Sequence, residues 1–149
     1  MATTTKTATR KIDTLLAHYG KSHMNPTNEV IHFVAIPLIM LSIVGLMYAL
    51  HPWVAFAFMA ASMVYYARLS TVFLVAMLVW STILYALILQ MGDKVWQTSL
   101  IIFIGAWIAQ FYGHHVEGKK PSFFEDIQYL WVGPLFVLSK LFLKLEIKW

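Results

Sequence analysis

Two groups of histidines carry the chemistry this sequence can do. His23 and His32 flank the segment Met24-Asn25-Pro26-Thr27-Asn28-Glu29-Val30-Ile31, and His114-His115 stand just before Glu117. The chain has no cysteine, so any metal site must use imidazole, carboxylate or backbone oxygen. Imidazole suits Zn, Cu, Fe and Ni alike, so ligand type alone does not choose the metal. Two histidines with Glu117 would make a facial triad, the signature of non-haem Fe(II) and oxygen chemistry. Three or four histidines, with Glu117 outside the ligand set, is equally open.

The elements that must position these groups are helices. Asn25 is a preferred N-cap and Pro26 fits the first helical position. A helix starting at Pro26 puts His32 about 9 Å along its axis, inside the mouth of an apolar run. Asn28, one turn before His32, shares its helical face and can orient its ring. Gln110 stands in the same relation to His114. A histidine entering lipid is costly unless paired or ligating, and so marks a functional site.

Composition sets the surroundings. Of 149 residues, 60% are apolar and 12% charged, and mean hydropathy is +0.68. Soluble domains sit near 45–50% and 25%. The fold expected is all-α: a polytopic membrane helical bundle with four to five transmembrane helices and a short N-terminal amphipathic helix. Residues 1–9 are polar and Thr-rich, lack the apolar core of a signal peptide, and are expected to be disordered; residues 10–149 form one domain. The formal net charge of +4 suits an anionic membrane surface. Because the basic residues are scattered around apolar spans, nucleic acid is not expected as a partner.

Arg10 to Tyr19 has the apolar spacing of an interfacial helix, through Ile12, Leu15, Leu16 and Tyr19. Val30–Leu50, Trp53–Ala67, Leu69–Met91 and Val95–Tyr112 read as four spans. Ser122 and Glu125 match a capping box, opening a helix expected to run to about Leu145. Its apolar part, Tyr129–Leu143, is either a fifth span or a helix packed at the interface.

Four spans place Lys6, Arg10, Lys11, Lys21, Arg68, Lys119 and Lys120 on one face, against Lys94 on the other. The positive-inside rule puts the first face in the cytoplasm. His23, His32, His114 and His115 fall on that same face by an independent argument, and His51 falls on the other. On a helix His115 points about 100° away from His114, so one of the two at most faces a shared site directly. His18 reads as a surface residue of the first helix.

The blocks Tyr19-x-x-x-His23-x-Asn25-x-x-Asn28-x-x-x-His32-x-x-x-x-Pro37, Gln110-x-x-Gly113-His114-x-x-Glu117-Gly118-Lys119-Lys120-Pro121 and Gly133-Pro134-Leu135-Phe136 resemble the 2-hydroxy fatty acid dioxygenases. These are small membrane proteins whose fungal member acts at the endoplasmic reticulum in fatty-acid α-oxidation. The resemblance covers about residues 15 to 142. The compact Gly113-His114-His115-Val116-Glu117 block is similar to the bacterial form; the fungal form has one more residue before the glutamate.

The resemblance implies an Fe(II)-dependent dioxygenase that converts a long-chain 2-hydroxy fatty acid and O₂ to an acid one carbon shorter. It implies His23, His32 and His114 as metal ligands, with Glu117 beside them as a catalytic candidate. Asn28, Gln110 and His115 are then candidates for supporting the cofactor. The location implied is the bacterial inner membrane with the site at its cytoplasmic face, or the endoplasmic reticulum in a eukaryote. Two other classes fit the residues: a haem-binding membrane protein with His32 and His114 as axial ligands, and a non-catalytic scaffold or lipid-binding protein whose histidines only hydrogen-bond.

Overall fold

The computed structural model describes residues 10–120 and 123–149. The expected disordered stretch 1–9 and the Ser122 N-cap lie outside them. Among the described residues the chain is all helix and turn, with no strand. The helices are α1 (Lys11–Gly20), α2 (Pro26–Leu50), α3 (Pro52–Ala67), α4 (Thr71–Gln90), α5 (Val95–Val116), α6 (Phe123–Gln128) and α7 (Val132–Lys144), with a 3₁₀ turn at Gly92–Lys94 before α5.

Local chemistry sets the helix starts. Asn25 accepts the Thr27 backbone N–H at 2.9 Å, and Pro26 takes the first helical position, where its missing donor costs nothing. His51 and Pro52 repeat the arrangement at α3, with the His51 ring accepting the Trp53 N–H.

Three segments are long and apolar enough to cross a membrane: Pro26–Leu50, Thr71–Gln90 and Gly92–Val116. The apolar α3 is shorter, at 16 residues. Large apolar side chains face outward along α3, α4 and α5, among them Phe56, Val75, Val79, Ile101 and Ile108. Exposed apolar side chains in this number are compatible with a lipid surrounding.

α2 is the hub and packs on α3, α4, α5 and α7. Its main partner is α5, and small residues let the two backbones approach. A Cβ on Gly45 would stand 2.1 Å from Ser99 Oγ. Between helices in lipid, such close van der Waals packing replaces the hydrophobic drive that water would supply.

The C-terminal segment differs from the expectation of one helix running to about Leu145. It breaks at residues 129–131 into α6 and α7. At 13 residues α7 is about 20 Å long, short of a hydrocarbon core of about 30 Å. Protein covers it instead: Val132 through Ser139 are all buried. Phe73 and Met77 of α4 pack on Leu135, Leu138 and Phe142, and the N-terminal helix adds Ile12 to that core. α1 therefore lays its apolar side, Ile12 and Tyr19, on α7. Lys140 of α7 pairs with Glu29 in the first turn of α2 at 3.0 Å.

Candidate metal centre

Three elements converge at one end of the bundle. His23 sits in the turn between α1 and α2, His32 in the second turn of α2, and His114 near the end of α5. All three are buried, His32 completely. Ring centroids are 4.2 Å apart for His23–His32, 4.9 Å for His32–His114 and 5.9 Å for His23–His114. One ring nitrogen from each lies within 4.8 Å of the others, so the group could hold a metal ion.

Each ring is oriented by a hydrogen bond. His23 Nδ1–H donates to the Tyr19 carbonyl at 2.8 Å, and His32 Nδ1–H to the Asn28 carbonyl at 2.9 Å. A carbonyl only accepts, so Nδ1 carries the proton in both rings and Nε2 keeps its lone pair. Both Nε2 atoms are buried without a partner among the described residues. Two unmatched imidazole lone pairs beside a third ring are costly as bare polar groups and suited to a cation. His114 is held differently: its Nε2 lies 3.1 Å from Asp126 Oδ1 on α6.

The enclosure of His23 favours its neutral ring. The Tyr19 ring stacks on His23 at 4.2 Å and 14°. Burial lowers the His23 pKa, overriding the opposing Tyr19 hydrogen bond. Neutral imidazole is the form that ligates. Burial, and then the Asp126 charge, raises the Tyr19 phenol.

Glu117 is the C-cap of α5. Its carboxylate reaches across to the start of α2 and accepts from the Met24 N–H at 2.9 Å, the Asn25 N–H at 2.8 Å and the Asn28 amide at 3.1 Å. Burial alone would raise its pKa; those three donors outweigh it and hold the group below the ordinary glutamate range. The carboxylate thus clamps the turn carrying His23 to the helix carrying His114.

Asn28 orients His32 through its backbone carbonyl, while its side-chain amide donates to the Ser22 carbonyl and to Glu117. Gln110 is buried one turn before His114 but has no hydrogen bond to it, and its Oε1 has no partner among the described residues. His115 is exposed and stands outside the group. His51 is at the far end as the cap of α3. His18 is exposed and shares a 2.9 Å hydrogen bond with the Tyr129 hydroxyl.

No motif in the sequence marks Asp126. Its one visible signal was position, next to the capping-box Glu125 in the segment that follows His114. A cavity of about 690 Å³ opens beside the group, lined by His23, His114, Tyr19, Asp126, Lys119 and Lys120 among others.

The chain is an all-helical protein, with three helices long and apolar enough to cross a membrane, that gathers three buried imidazoles able to hold a metal ion. The family model described as 2-hydroxy-palmitic acid dioxygenase Mpo1-like matches residues 9–145. The match covers nearly the whole chain, and the chain belongs to that family. No curated protein and no solved structure matches it significantly.

Proposed function

We propose that this chain is a membrane-embedded, Fe(II)-dependent dioxygenase that oxidises long-chain 2-hydroxy fatty acids to acids one carbon shorter. The observation that carries the reading is the buried group His23, His32 and His114 in a chain of the Mpo1-like dioxygenase family. In this reading the three histidines hold the metal. Iron, when bound, supplies the redox chemistry that makes O₂ reactive.

The protein's own residues do the rest. The Tyr19 and Asn28 carbonyls fix the rings of His23 and His32 with Nε2 free. Glu117 acts as a clamp: its carboxylate accepts from Met24, Asn25 and Asn28 and so holds the His23 turn against α5. Three protein ligands leave open positions for a substrate head group and O₂. The 690 Å³ cavity admits the head group, and Lys119 and Lys120 at its lining supply positive charge for a carboxylate. The alkyl tail lies along the apolar outer surface, in lipid.

Membrane insertion completes the reading. α2, α3, α4 and α5 cross in turn, α1 lies at the interface, and the basic face carrying the site is cytoplasmic. In this reading the protein resides in a bacterial inner membrane, or in the endoplasmic reticulum of a eukaryote.

The test is metal analysis of anaerobically purified protein together with oxygen uptake on 2-hydroxypalmitate and palmitate. Near-stoichiometric iron, and uptake with 2-hydroxypalmitate alone yielding the acid one carbon shorter, is the expected result. A Soret band would replace this reading with haem binding. Protein free of metal that stays inert when loaded with Fe(II) would leave a lipid-binding scaffold.

A further inference from the structure

We propose that Asp126 is a positioning residue of this centre, acting through His114. The inference rests on the metal-site reading above and adds a residue to it.

His23 and His32 each donate to the carbonyl of the residue four before them. Those acceptors are backbone and come with the fold. His114 has a side-chain partner instead, twelve residues on and carried by a separate helix. An ionised carboxylate only accepts, so at 3.1 Å it selects the His114 tautomer with hydrogen on Nε2. Nδ1 is then the nitrogen with a lone pair to offer.

The pair is well enclosed. Side-chain exposure is 8% for His114 and 10% for Asp126, and low local dielectric strengthens a charge-assisted bond. Asp126 Oδ2 is buried with no hydrogen-bond partner among the described residues, and the hydrogen bond that Oδ1 makes is to His114. Three neutral imidazoles around a divalent cation leave its charge uncompensated. Asp126 supplies negative charge at that point, and it also makes the ring a more basic ligand.

The test uses the full-length protein in detergent, with wild type, Asp126→Asn and Asp126→Ala. One readout is the ¹⁵N imidazole spectrum of the metal-free protein, with His114 assigned from a His114→Gln variant. The other is Co(II) affinity by chelator competition. Wild type should show His114 protonated on Nε2. Asp126→Ala should lose that tautomer preference and bind Co(II) about 10- to 100-fold more weakly. Asp126→Asn, whose amide oxygen can still accept, should lose less.

Unchanged affinity in both variants overturns the proposal. So does weaker affinity with the His114 tautomer unchanged, since Asp126 would then act directly and not through His114. If the alanine variant fails to fold by circular dichroism, the near-isosteric asparagine variant carries the same two readouts. Wild type that binds no Co(II) would instead overturn the metal-site reading, and this proposal with it.

Discussion

Gly113 of α5 presses directly on Asn28 of α2: a Cβ at position 113 would stand 2.4 Å from Asn28 Oδ1 and 3.3 Å from Ile31 Cγ2. Asn28 cannot yield easily. It is fully buried, its amide is held by Ser22 and Glu117, and its carbonyl holds the His32 ring. Gly113→Ala should therefore spread α2 from α5 at the level of His32 and His114. We expect a stability loss of about 1–3 kcal/mol with weakened metal binding, measured by thermal denaturation and Co(II) titration in detergent. Gly105→Ala is the control, since nothing lies within 4 Å of its added Cβ. Equal melting of the two variants would remove the close approach as a determinant of the site.

The histidines should divide by position. His23→Ala, His32→Ala and His114→Ala each remove one member of a mutually close group and should abolish stoichiometric iron and oxygen uptake. Helical content should persist, because apolar spans insert without the metal. His51→Ala at the far end and His115→Ala on the exposed face should keep both. Metal analysis across the five variants checks this; full iron in His32→Ala would be incompatible with the assignment.

Local signals were legible in the sequence and cross-helix ones were not. The start of α2 could be read from Asn25-Pro26 because capping is chemistry among adjacent residues. The gathering of His23, His32 and His114 followed from counting crossings, which needs element number but no packing detail. Glu117 shows where that ends. Spacing put it on the His114 face if the helix continued, but α5 stops at Val116, and the carboxylate turns instead to Met24 and Asn25, about ninety residues earlier. The break at 129–131 was hidden for a similar reason. Tyr66 donates to the Trp131 carbonyl from α3, at 3.2 Å, a partner that no local pattern announces. Asp126 belongs to the same class, since its relation to His114 arises only once α6 folds back.

Glu117 gives a pH prediction. Its native pKa is held down by three donors, so the folded state favours the ionised form. The resulting stabilisation is fully present above the ordinary glutamate value, near 4.3, and is lost as pH falls through the lower native value. Glu117→Gln keeps an acceptor but not the charge. It should destabilise by about 1–2 kcal/mol at neutral pH, and the gap from wild type should close on acidification below about pH 4. Denaturation curves at neutral and acid pH measure it. A gap independent of pH would mean that the carboxylate charge contributes nothing to the clamp.

The last prediction concerns which way the site faces. His23 precedes α2 and His114 nearly ends α5, and their rings are 5.9 Å apart. The turn before α2 and the segment after α5 must therefore lie at one end of the bundle. With 22 residues α5 is about 33 Å long, enough to carry Lys94 to the opposite surface. Lys21, Arg68, Lys119 and Lys120 outnumber Lys94 across the two ends, which favours the histidine end in the cytoplasm. The chain has no native cysteine, so single Lys21→Cys, Lys94→Cys and Lys119→Cys variants report without background. An impermeant maleimide should label positions 21 and 119 only in inverted membrane vesicles, and position 94 only from the outside of intact cells. Labelling of 21 and 119 from opposite faces would break the four-crossing order. Labelling of all three from one face would mean that α5 does not cross, and a metal centre at the mouth of a span would lose its basis.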